Sequence, residues 1–132
     1  MLGEEYRSEY DEEFIRSLLK RLTDGGARCV ALTGISFSPD KIGVYAYDRA
    51  KNEYFSYFNE RLPESYHGTG DIYASAVLGA YVRGLSLNDS LALAVDFTLE
   101  CMKCTRRDES RRFYGVNFEQ ALPMYIERLK NV

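Results

Sequence analysis

The sequence lacks an excess of positive charge. Among its 132 residues, seventeen Lys and Arg stand against twenty Asp and Glu, a formal net charge of −3. Sequence-independent binding to DNA or RNA needs a dominant basic face, and this balance argues against nucleic acid as a partner. No apolar run approaches the length of a membrane span, so no membrane partner is expected. The opening MLGEEYRSEYDEEF is acidic where a secretion signal would be basic and then apolar. Cysteine is scarce and odd in number, three in a chain long enough to fold without cross-links. A disulfide framework is therefore not expected, and a reducing cytoplasm is the simpler setting. Histidine occurs once, at position 67, with no partner histidine, and reads as a loop residue, with a ligand contact as the alternative. Internal repeats, low-complexity runs and linkers are missing too. What remains is 45% apolar and 28% charged, the composition of a globular protein, and the length of one domain over residues 1–132.

The period of the apolar residues places the elements. Phe14, Ile15, Leu18, Leu19 and Leu22 recur at helical spacing, which predicts an amphipathic helix over Asp11 to Thr23. Asp24-Gly25-Gly26 ends it. Ala27 to Thr33 is a compact apolar run closed by Gly34, the pattern of a strand buried on both faces in an α/β layer. Ile42 to Tyr47 and Glu53 to Phe58 are aromatic, β-prone runs joined by the polar residues 48–52, a hairpin. With no basic residues interleaved, its aromatics read as cross-strand packing and not as a base-stacking platform. Beyond Pro63 the period is helical. Gly70 to Arg83 is a small-residue helix stopped by Gly84, and Ser86-Leu87-Asn88-Asp89 opens another that runs to about Thr105. That helix is apolar over much of its circumference, so it should be buried between neighbours. Arg106 to Arg112 is a polar connection, and Phe118 to Lys130 a last helix bent or restarted at Pro123.

Chemistry concentrates in Tyr66-His67-Gly68-Thr69-Gly70-Asp71, between the β-rich region and the small-residue helix. Two glycines let the backbone approach a ligand, and the first amides of a helix have no intrahelical acceptor and sit at the positive end of its dipole. That is an anion site, with phosphate the usual occupant. Asp71 beside it repels phosphate unless its carboxylate takes a proton from an attacking hydroxyl while the amides stabilise the transferred group. The plainer alternative is that Thr69 and Asp71 only cap the helix. Cys101 and Cys104 form a Cys-x-x-Cys pair inside a predicted helix with no second pair, so core packing is expected there and no metal site.

Gly68-Thr69-Gly70-Asp71 followed by Ile72-Tyr73-Ala74-Ser75 resembles the anion-hole motif of the ribokinase-like superfamily. Leu32-Thr33-Gly34, the Ile42–Phe58 hairpin, Ala94-Val95-Asp96-Phe97 and Tyr114-Gly115-Val116-Asn117-Phe118-Glu119 extend the likeness. Together they resemble the C-terminal part of the pyridoxal/pyridoxamine kinases over nearly all of the chain. Hydroxymethylpyrimidine kinases, close relatives, typically carry cysteine at the position of Asp71. Tyr73 stands where Phe is commoner.

The resemblance implies an α/β fold, the C-terminal half of a ribokinase-like kinase. It would hold a few strands including a β-hairpin, about four helices and an incomplete sheet. It implies Asp71 as the base that deprotonates the hydroxymethyl group of a B6 vitamer attacking the γ-phosphate of ATP. Gly68, Thr69 and Gly70 would form the anion hole, and Thr33 and Gly34 a nucleotide contact at the end of a buried strand. Asn59 to Tyr66 would lie beside the nucleotide. Mg²⁺ would be oriented by an Asn-x-x-Glu motif in an N-terminal half that is absent here, and Glu4, Glu5 and Glu12 do not match it. Little kinase activity is therefore expected of this chain alone, and a homo-oligomer or association with the missing half is the expected assembly. The alternative is a nucleotide-binding or interaction module that transfers nothing.

Overall fold

Asp11 starts the first helix because its side chain accepts the amide of Phe14 at 2.8 Å, while Glu12 and Glu13 occupy the favourable end of the dipole. The computed structural model describes residues 2–3, 8–110 and 115–132. Helix α1 (Glu12–Thr23) is followed by strands β1 (Cys29–Ser38), β2 (Lys41–Asp48) and β3 (Glu53–Glu60), then by helices α2 (Thr69–Val82), α3 (Leu87–Arg107) and α4 (Leu122–Lys130). The chain divides into two compact units, Met1–Phe58 and Asn59–Val132. Among the described residues no helix is long and apolar enough to cross a membrane.

In the first unit the strands lie in the order β1-β2-β3, with β1 antiparallel to β2. Ile15 and Leu19 of α1 pack against Ile35, Tyr45 and Tyr47, with Val30, Leu32 and Tyr54 beside them. The hairpin aromatics pack on one another as expected, Tyr47 to Tyr54 at 4.6 Å and Tyr45 to Tyr54 at 6.3 Å between ring centroids. The Arg16 guanidinium lies 4.7 Å from the Tyr54 centroid, and its Nε donates to the Tyr45 hydroxyl at 2.8 Å. The tip is closed by Asp48, which accepts the amides of Ala50 and Lys51.

Strand β1 differs from its expected form. It does not stop at Thr33 and is not buried on both faces. It runs on to Ser38, with Ala31, Thr33 and Gly34 exposed on an edge strand that has one neighbour among the described residues. The register slips between Thr33 and Ile35, and Gly34 takes a φ of 70° at that slip. A bulge thus absorbs the glycine that read as a terminator.

In the second unit α3 is buried around much of its surface between α2 and α4, as its apolar breadth required. Its Leu93, Ala94, Phe97, Cys101 and Cys104 form a core with Ala76, Ala80, Ala121 and Tyr125. Ser86 caps α3 by accepting the Asp89 amide at 3.1 Å. Pro123 neither bends nor restarts a longer helix. It lies in the first turn of a short one, where the missing N–H has no acceptor to lose. The Tyr125 hydroxyl donates to the Ala76 carbonyl at 2.7 Å, joining α4 to α2. Tyr125→Phe is expected to lower unfolding free energy by about 1 kcal/mol in urea denaturation, with no change of fold.

Candidate functional site: the amino end of helix α2

The turn before α2 is made by Gly68, whose φ of 83° is the left-handed region that side-chain-bearing residues rarely enter. Among the described residues no side chain caps this helix end. Its first intrahelical bond runs from the Ile72 amide to the Gly68 carbonyl at 3.0 Å. The amides of Thr69, Gly70 and Asp71 therefore lie ahead of the helical ladder, where acceptors must come from outside it. Gly68, Gly70 and Asp71 are exposed, and Thr69 is half-buried with its hydroxyl 3.4 Å from the Tyr66 carbonyl.

Asp71 occupies the first turn of α2, and its carboxylate has no hydrogen-bond or ion-pair partner among the described residues. A capping carboxylate would accept a nearby amide, as Asp11 does for α1, and Asp71 does not. What the arrangement offers is an open carboxylate beside unengaged main-chain donors at the positive end of a 14-residue helix. Tyr73, two residues on, is held against α3. Its hydroxyl donates to the Leu91 carbonyl at 3.3 Å, and burial raises its pKa well above the usual phenol range.

The other candidates fall elsewhere. Thr33 and Gly34 belong to β1 in the first unit, inside an exposed strand and not at the end of a buried one. His67 is exposed in the turn. Cys101 and Cys104 lie in the α3 core, and burial, with Cys104 adjacent, pushes the Cys101 thiol up to about 12. A thiol so protonated is a poor nucleophile. Iodoacetamide at pH 8 is expected to leave Cys101 unmodified in the folded chain and to label it in denaturant, as read by peptide mass spectrometry. Arg106 pairs with Glu64 and Arg107 with Glu100, both at 3.1 Å, on the surface. Glu4, Glu5, Arg111, Arg112 and Tyr114 lie outside the described residues. Asn117, from the same motif as Tyr114, donates its amide to Thr105 Oγ1 at 2.7 Å and its side chain to Asp108 at 2.6 Å.

One junction has no role assigned to it by the sequence reading, although Asp96 lies in the Ala94–Phe97 stretch of the likeness. The Asp96 carboxylate, on α3, accepts Asn59 Nδ2 at 2.8 Å and Arg128 Nη2 at 3.1 Å. The available signal is a lone carboxylate within the apolar run Leu91 to Leu99.

The family model of phosphomethylpyrimidine kinase matches residues 1–113. No curated protein gives a match to the chain. Among solved structures, a protein of Bacteroides thetaiotaomicron described as a phosphomethylpyrimidine kinase superposes in two crystal forms. The rhombohedral form gives a TM-score of 0.84 at 32% identity, covering 92% of this chain and 42% of that one. The orthorhombic form, which contains pyridoxal, gives 0.85 at 31%, covering 95% and 44%. Pyridoxal kinase from Lactobacillus plantarum shares the fold, with a TM-score of 0.77 at 24% identity over 96% of this chain and 45% of that one. The chain thus spans less than half the length of these relatives and corresponds to their C-terminal portion. The four helices and three-stranded sheet of the described residues are the mixed α/β arrangement of that portion, and the chain belongs to the phosphomethylpyrimidine kinase family.

Proposed function

We propose that this chain is the anion-binding and catalytic portion of an ATP-dependent kinase that phosphorylates the hydroxymethyl group of a B6 vitamer. The observation that carries the reading is the open carboxylate of Asp71 beside the unengaged amides at Gly68 to Gly70. Asp71 removes the proton from the attacking alcohol, and the amides of Gly68, Thr69 and Gly70 receive charge on the transferred phosphoryl group. Thr33 and Gly34 are assigned a nucleotide contact on resemblance alone. A B6 vitamer is favoured over a hydroxymethylpyrimidine because Asp71 stands where cysteine typifies the latter kinases. The B. thetaiotaomicron relative supports this, since its crystals hold pyridoxal despite its pyrimidine-kinase description.

Among the described residues no group of three or more His, Cys, Asp or Glu side chains could hold a metal ion. This donor set does not fit Mg²⁺, and no step is routed through it. In this reading the metal-orienting groups and most of the vitamer pocket belong to polypeptide outside these residues, in the same chain or a partner. The same observation favours a second reading, a module that binds nucleotide and transfers nothing.

Incubation with Mg-ATP and either pyridoxal or hydroxymethylpyrimidine, with products read by mass spectrometry, separates the readings. Pyridoxal phosphate formation above background, by this chain alone or with the N-terminal half of a relative added, supports the kinase, and background with both alcohols under both conditions supports the module. A titration with a non-hydrolysable ATP analogue is expected to raise the thermal midpoint. An unchanged midpoint at millimolar analogue removes the anion site from both readings.

A further inference from the structure

The segment 59–66 leads from the end of β3 to the turn that opens α2, and three polar contacts tie it to α3. Asn59 Nδ2 donates to Asp96 Oδ1 at 2.8 Å, Lys103 Nζ pairs with Glu60 at 3.1 Å, and Arg106 Nε pairs with Glu64 at 3.1 Å. Positions 96, 103 and 106 are separated by two turns and then one, so they share one side of the helix. Between these ties Leu62 is buried. The segment is thus fastened along α3 up to the residues that present Gly68.

The ties are unequal. The two ion pairs are well exposed to water and contribute little each. Asp96 is different. Its side chain is 12% exposed and clamped between Asn59 and Arg128 of α4. A charge-assisted bond mostly withdrawn from water is the strong one. We infer that Asp96 is a positioning residue: through Asn59 it holds segment 59–66 on α3, and so sets where the Gly68 to Gly70 amides and the Asp71 carboxylate stand. Its consequence for ligand binding rests on the anion-site reading above, and its consequence for the turn does not.

The test uses the whole 132-residue chain with Asn59→Ala, and Asp96→Asn as the conservative variant that keeps an oxygen for Asn59. Amide hydrogen exchange reads the turn, and calorimetric titration with ATP reads the site. Asn59→Ala is expected to speed exchange of the Ile72 amide, whose acceptor is Gly68, about tenfold and to weaken ATP binding by about the same factor. The Phe97 and Cys101 amides should keep their protection, and Asp96→Asn, which keeps an acceptor for Asn59 but loses the charge, should fall between wild type and Asn59→Ala in both measurements. Unchanged exchange at Ile72 in Asn59→Ala overturns the inference. So does a uniform rise that includes α3, which marks a merely structural bond. If the wild-type chain takes up no ATP, the anion-site reading falls while the exchange pattern still decides the role of Asp96.

Discussion

Asp71→Asn is expected to remove vitamer-dependent ATP turnover without weakening nucleotide binding. The two side chains have nearly the same shape, so the change deletes charge and basicity and leaves the turn in place. A positioned general base is worth about 10²–10⁴-fold in rate, and any turnover above background should fall by that factor. Binding should move the other way or not at all, because a carboxylate beside a triphosphate repels it. That split is the diagnostic. If Asp71 only stabilises the helix end, the variant loses a little thermal stability and turnover is untouched. If turnover and ATP affinity fall together, Asp71 is arranging the site and not acting as a base. Radioactive phosphate transfer and calorimetric titration on the same preparations distinguish these outcomes.

Gly43→Ala should have the largest effect on stability. Gly43 sits on the middle strand opposite Ile35 and is fully enclosed. A Cβ placed there would stand 1.9 Å from the Tyr57 carbonyl oxygen and 2.7 Å from the Phe58 Cα, both backbone atoms of β3. No rotamer change can relieve a clash with a neighbouring strand's main chain, so β3 must move and its pairing with β2 must open. The expected loss is about 3 kcal/mol or more, a large part of the stability of a domain this size. Gly34→Ala is the matched control. Nothing stands within 4 Å of its added carbon, and only the left-handed φ of 70° opposes it. That substitution should cost about 1–2 kcal/mol. Urea denaturation followed by circular dichroism ranks the two, and equal losses would refute the clash argument.

How much of this was legible beforehand differs from element to element. Asp11, Ser86 and the hairpin connection act within a few residues of themselves, and each does in the fold what its neighbours imply. The glycine turn and the helix start beside it were legible for the same reason, while whether Thr69 or Asp71 capped that helix was left open. Strand β1 was misread because its end depends on β2. A glycine that ordinarily terminates became a bulge when the partner strand offered Lys41 to Ser38 beyond the slip. Pro123 was misplaced because helical periodicity extends past the point where the backbone becomes helical. Asp96 lay in a stretch that carried the family likeness, yet its role was not legible there, for its partners Asn59 and Arg128 are 37 and 32 residues away.

The amino-acid sequence alone determined the caps, the hairpin, the apolar faces and the glycine-aspartate turn, since each follows from short-range sterics and hydrogen bonding. Only the tertiary structure decided that β1 is an exposed edge, that Asp71 has no partner among the described residues, and that a carboxylate on α3 accepts Asn59 at the start of the segment leading to the Gly68 turn. Those outcomes depend on which distant groups arrive beside one another, and burial and pairing over such separations leave no local imprint on the chain.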